Sequence, residues 1–150
     1  MKQKIMMLAD DDRDDTEMFC EAVAEIDQNI ICHCAVNGEK LLEKLDISNQ
    51  LPQIIFLDVN MPIMNGWECL RVMKKNNRYK DIPVIMMSTS SHLEEIDNAI
   101  IKGAMCYFVK PNNYNDLAKA LKVIIENIET GLTEALANLQ RDGHKYIYTL

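Results

Sequence analysis

The chain has no surplus of basic residues, no long apolar run and no C-x-x-C pair, and each absence removes a class of function. Lys and Arg number 16 against 23 Asp and Glu, a net charge of −7. A nucleic-acid footprint needs a basic face, and so does electrostatic attraction to anionic lipid, so neither partner is expected. No apolar stretch approaches the roughly 20 residues of a membrane-spanning helix. Cys20, Cys32, Cys34, Cys69 and Cys106 make an odd set of five. Cys32-His33-Cys34 suggests a metal clip, but no second cluster completes a four-ligand zinc site. The cysteines therefore read as small apolar core residues. Their odd number, with no leader peptide, suits a reducing cytoplasm. No repeat or low-complexity segment stands out. No following segment supplies the helices and basic face of a DNA-binding output, so the partners expected are proteins.

What is present is a regular alternation. A length of 150 residues with 48% apolar content suits one globular domain. "KIMMLA" (4–9), "IICHCAV" (30–36), "QIIFLDV" (53–59), "IPVIMMS" (82–88) and "MCYFVK" (105–110) are strand-length apolar runs. Between and after them lie helical patterns at 15–26, 38–45, 66–75, 92–103 and 115–131. Met18, Phe19, Ala22, Val23 and Ile26 form one stripe. Trp67, Leu70, Val72 and Met73 are the apolar positions of another helix. Leu117, Leu121, Ile124, Ile125 and Ile128 share one face of the last. Five strands alternating with five helices predict an α/β doubly wound parallel sheet with helices on both faces.

The plan is complete by about residue 129, so 1–129 is expected to be the domain proper and 130–150 a C-terminal extension. "LTEALANLQ" (132–140) predicts a short helix, and "KYIYTL" (145–150) an apolar tail. Two tyrosines, an isoleucine and a leucine are unusual in a free tail, so docking or pairing is expected over fraying.

Ligands of open parallel sheets bind outside the carboxyl ends of the strands. The residues there are Asp10 and Asp11, then Asp58, Ser88 and Lys110. Three carboxylates at one edge disfavour joint ionisation unless a cation joins them. A hard ion such as Mg²⁺ takes oxygen ligands and leaves room for phosphate oxygens. A carboxylate can also act as nucleophile and become an aspartyl-phosphate.

The stretches "MMLADDD", "IIFLDVNMPIMNGWE", "VIMMSTSS" and "GAMCYFVKPNN", in this order, resemble the response-regulator receiver domain of two-component signalling. The resemblance covers about residues 3 to 129. It implies the flavodoxin-like fold with strand order 2-1-3-4-5. It implies Asp58 as phosphoacceptor, with a sensor histidine kinase or phosphotransfer protein as donor and a protein as target. It implies Mg²⁺ held by Asp11 and Asp58, by Asp10 directly or through water, and by the main-chain carbonyl of Asn60. Ser88 and Lys110 would contact the phosphoryl group. Ser88 and Tyr107 would switch the output face, with Tyr107 rotating inward, and Lys110–Pro111 would be a cis peptide. Thr89 stands where a smaller residue is common, and Arg13 where Pro is frequent. A homodimer is compatible with the tail.

Plainer readings compete. Asp12 and Asp15 read as a helix cap with a capping-box-like partner, and Asp14 and Asp15 favour the positive end of that helix. His33, His92 and His144 read as solvent-facing, with His92 near the mouth of the site. Asp10, Asp12, Asp14 and Glu21 mimic an EF-hand loop, but Asp15 stands where the turn needs Gly. "DRDDT" (12–16) mimics a haloacid-dehalogenase-type phosphatase with Asp12 and Asp14, but Asp12 lies two residues beyond the strand end. A receiver-like binding module without phosphorylation is the third reading.

Overall fold

Side chains alternate between two cores along the central strands. The computed structural model describes residues 3–142 and 146–149. Its elements are β1 (Lys4–Ala9), α1 (Arg13–Ile26), β2 (Ile30–Ala35), α2 (Gly38–Ile47), β3 (Ile54–Asp58), α3 (Gly66–Lys75), β4 (Val84–Ser88), α4 (Leu93–Ile101), β5 (Cys106–Val109), α5 (Tyr114–Glu126), α6 (Leu132–Arg141) and β6 (Ile147–Tyr148). Ile54 and Phe56 of β3 point into a core with α1, α5 and α6. Ile55 and Leu57 point the other way, to α2, α3 and α4. A strand covered on both faces has no place for polar residues until its end, where the chain leaves the helical layers.

The sheet order is β2-β1-β3-β4-β5-β6. The first five strands are parallel, as the alternation predicted. The sixth corrects the five-stranded expectation: β6 pairs antiparallel with β5, Ile147 opposite Phe108. An edge strand carries unpaired backbone groups, and the tail satisfies them. The Val109 N–H donates to the Tyr146 carbonyl at 2.8 Å. The Ile147 side chain is fully buried, and the Tyr146 hydroxyl donates to Asp116 at the start of α5. The tail therefore docks on its own sheet; its Lys145 and Leu150, with Gly143 and His144, lie outside the described residues.

Two local expectations need correction. The final helical pattern, 115–131, stops short: α5 ends at Glu126, residues 127–131 are turn, and α6 starts at Leu132 as the short helix expected over 132–140. Gly131 takes φ 77°, a left-handed conformation that glycine adopts without a Cβ clash, and the chain turns there. Val72 is exposed, and Cys69 fills the α3 core position instead. Trp67 is half-buried, with the Lys102 ammonium 4.9 Å above its ring.

Ile147→Ala removes a wholly buried side chain that bridges tail and core. It should lower unfolding stability by about 2–3 kcal/mol in urea titration. A loss below about 0.5 kcal/mol would mean that the tail contributes nothing to the fold.

Candidate functional site

β1 ends at Ala9, and the next residue, Asp10, turns inward while Asp11 faces solvent. The Asp10 N–H donates to the Ala35 carbonyl at the end of β2, 3.0 Å away, which fixes the backbone as it leaves the sheet. Asp12 then caps α1: its carboxylate accepts the Asp15 N–H at 3.0 Å. In a capping box the third helical residue would reach back to the Asp12 N–H. Here Asp10 accepts that N–H instead, at 2.9 Å. Asp15 is thereby free to face the site.

β3 delivers Asp58 at its last position, nearly buried. The chain folds back at once, and the Gly66 N–H donates to the Val59 carbonyl. A Cβ on Gly66 would stand 2.3 Å from the Asp58 carbonyl oxygen, so only glycine allows this approach. The loop between carries Asn60 and a tight three-residue turn, with Ile63 at φ 68°. That conformation costs an L residue about 1–3 kcal/mol.

β4 and β5 supply the remaining groups. Ser88 lies opposite Val109 in the register, and its carbonyl accepts the Lys110 N–H at 2.8 Å. The Ser88 hydroxyl accepts the Ser90 N–H at 3.1 Å. Lys110 Nζ lies 2.8 Å from Asp10, 3.0 Å from Asp15 and 3.5 Å from Asp58.

The charges are unevenly balanced. Burial pushes the Asp58 carboxyl up from 3.8 to about 7; Lys110 opposes the shift, and Asp10 adds to it. Burial alone would lower Lys110, but its hydrogen bond to Asp10 and the nearby carboxylates hold it above its ordinary value. Oxygens of Asp10, Asp11 and Asp58 lie within 4.8 Å of one another. Mg²⁺ binds oxygens at about 2.0–2.1 Å, so opposite ligands are about 4.2 Å apart. Three hard donors at nearly that span fit such an ion.

The structure thus brings together Asp10, Asp11, Asp58, Ser88 and Lys110. It adds Asp15, which the sequence reading gave only to the helix start. The missed signal lies in an ion pair spanning 95 residues, which no local pattern carries. Tyr107 is already inward: its ring is buried, and its hydroxyl donates to the Ser90 carbonyl at 2.8 Å. Inward rotation from an outer position is therefore not the change available from this state. All peptide bonds among the described residues are trans, Lys110–Pro111 included, which corrects the cis expectation. Trans is the lower-energy form of an X-Pro bond by about 0.5–1 kcal/mol. Asp12 and Asp14 are exposed, with Asp12 engaged as the cap, so the phosphatase reading has no nucleophile in the site. His33 and His92 are exposed, and no side-chain hydrogen bond from His92 caps α4.

A doubly wound sheet with two nearly buried aspartates, an exposed third, a hydroxyl and an ammonium at its carboxyl edge defines an acidic, cation-binding module of phosphoryl-transfer type. Comparison with known proteins makes this specific. The response regulator receiver domain family matches residues 6–122, and the chain belongs to that family. It is 35% identical over 91 residues to chemotaxis protein CheY1 of Helicobacter pylori (strain J99), which covers 61% of this chain and 73% of that protein. The phosphorylated cyanobacterial phytochrome response regulator RcpA superposes with TM-score 0.77 at 27% identity, over 83% of this chain and 93% of that one. The Mn(2+)-bound response regulator Rcp1 gives TM-score 0.70 at 26% identity, over 81% and 91%. The chain is a phosphorylation-dependent signalling switch of the two-component type, and its family is generally one of signalling switches rather than metabolic enzymes. Receiver domains of this family bind Mg²⁺ at an acidic pocket, exchange phosphoryl groups with histidine kinases or phosphotransfer proteins, and act on downstream targets.

Two outcomes follow from this geometry. A raised carboxyl pKa means that native Asp58 holds its proton between about pH 4 and pH 7 while the unfolded chain has lost it, so this group's contribution to stability falls as pH rises through that window. In EDTA, Asp58→Asn should match the parent near pH 4 and exceed it by roughly 1–3 kcal/mol at pH 8; a margin independent of pH would contradict the burial cause. Gly66→Ala should cost about 2–3 kcal/mol in chemical denaturation, because the Asp58 backbone must move.

Proposed function

We propose that Asp58 is the phosphoacceptor and that Asp10, Asp11, Asp58 and the Asn60 main-chain carbonyl hold Mg²⁺. The observation that carries this reading is Lys110 Nζ, held between Asp10 and Asp58 at the carboxyl edge. An Asp58 oxygen attacks the phosphorus of a phosphohistidine on the donor protein, or of a small acyl phosphate. The new P–O bond forms as the P–N bond breaks, and the imidazole leaves with the electron pair and takes up a proton; with an acyl phosphate the bond from phosphorus to the acyl oxygen breaks and a carboxylate leaves with the pair. When bound, Mg²⁺ neutralises the carboxylates and the phosphoryl oxygens. Lys110 exchanges its pairing with Asp10 and Asp15 for one with a phosphoryl oxygen, and the Ser88 hydroxyl turns to donate to another. The chain catalyses its own phosphorylation and dephosphorylation, with Thr89 restricting access of donor and attacking water.

Pulling Ser88 toward the phosphate displaces the Ser90 N–H bonded to it, and Ser90 in turn anchors Tyr107. That path would bias the face formed by α4, β5 and α5, where a protein target binds. Residues 1–129 carry the switch, and 130–150 form an extension that covers the β5 edge. A homodimer of this chain would meet through another face, since β6 occupies that edge. The net negative charge supports protein partners over nucleic acid or anionic membrane. Among the described residues no helix is long and apolar enough to cross a membrane, and a cytoplasmic setting is proposed from the unpaired cysteines.

Incubation with acetyl phosphate and Mg²⁺ should add one phosphoryl group by intact mass. Asp58→Asn and added EDTA should each suppress the gain. Equal phosphorylation of Asp58→Asn would place the acceptor elsewhere.

A further inference from the structure

Away from the acidic edge, the fold gathers three sulfurs. Cys20 projects from α1, and Cys32 and Cys34 lie two apart on β2, so they share the face toward α1. Cys20 Sγ lies 3.1 Å from Cys34 Sγ and 3.7 Å from Cys32 Sγ, and all three sulfurs fall within 4.8 Å of one another. None is in a disulfide, and each is half-buried. Cys69 and Cys106 differ: both are wholly buried and serve as small apolar core residues. The expected core role holds for those two, and Cys32 and Cys34 pack partly buried against the core on the α1 side.

The trio faces the same problem as the aspartates: three thiolates this close repel one another unless a cation joins them. Thiolate is a soft ligand that selects Cu(I) and Zn²⁺ over Mg²⁺. At a metal–sulfur length of about 2.3 Å, a three-coordinate ion spaces its sulfurs about 4.0 Å apart and Cys34 must open by roughly 1 Å, since Cys20 lies 3.7 Å from Cys32 and 3.1 Å from Cys34. Among the described residues no His, Asp or Glu joins this group. Three sulfurs suffice for a three-coordinate ion, whereas Zn²⁺ would need a further ligand from solvent.

We propose that Cys20, Cys32 and Cys34 form a three-thiolate site for one soft d¹⁰ metal ion, with Cu(I) favoured over Zn²⁺. Binding displaces the thiol protons to solvent and ties α1 to β2. It lies one residue from Ala35, whose carbonyl fixes the Asp10 backbone. The site is independent of the phosphoacceptor reading.

The test titrates the reduced full chain anaerobically with Cu(I) against bicinchoninate. One equivalent should bind, with a thiolate-to-copper absorption in the near ultraviolet and a higher Tm by mass action. Cys20→Ser and Cys34→Ser should each weaken binding about 100-fold or more, while Asp11→Asn should leave it unchanged. Circular dichroism establishes that each variant is folded, and Cys32→Ser replaces any that is not. A parallel Zn²⁺ titration in the Asp11→Asn background separates the ions and should show weaker binding. Cu(I) affinity equal in parent and cysteine variants, tighter Zn²⁺ than Cu(I) binding, or a Cys20–Cys34 disulfide with no metal taken up by the reduced chain would each overturn the proposal.

Discussion

Asp10 and Asp58 lie at the carboxyl edge with little water to screen them, and Lys110 reaches both. That three-way contact sets the terms for its surroundings. A buried ion pair is a weak source of stability, because desolvation of both charges offsets their attraction. Its value here is that it leaves Asp58 incompletely neutralised. Lys110 is drawn toward Asp10 and Asp15, and the Asp58 carboxyl stays high. A site in that condition gains from a divalent cation and from a ligand that gives the ammonium a new partner.

The scaffold holds these groups with backbone contacts rather than long side-chain networks. Asp10 is fixed through Ala35, Asp58 through the glycine fold-back at Gly66, and Lys110 through the Ser88 carbonyl. Each contact falls at the last residue of a strand or just beyond it, where the two apolar layers end. The same edge logic explains the tail. β5 would otherwise expose a ladder of backbone groups, and β6 closes it with one buried isoleucine as anchor. The receiver family match ends at residue 122, so α6 and β6 lie beyond it.

Much of this was legible in the chain. β1 and α3 have the bounds that their apolar patterns predict, the parallel sheet follows from the alternation of elements, and the order of its first five strands is the one the family resemblance implied. The five strand-end residues were legible because a strand buried on both faces leaves its polar residues for its end. Val72 was misread because α3 carries apolar residues on more than one side, and periodicity alone does not say which side meets the sheet. Asp15 looked like a capping partner because the capping pattern is local, while its ion pair to Lys110 is not.

Local order along the chain determined the elements, their succession and therefore the acidic edge, since alternation and capping depend on residues a few positions apart. Tertiary structure alone decided which distant groups touch. It set Asp15 against Lys110, turned Tyr107 inward, laid the tail on β5 and drew Cys20 to Cys32 and Cys34. Those contacts depend on the packing angle and register of whole elements, which no short stretch of sequence encodes.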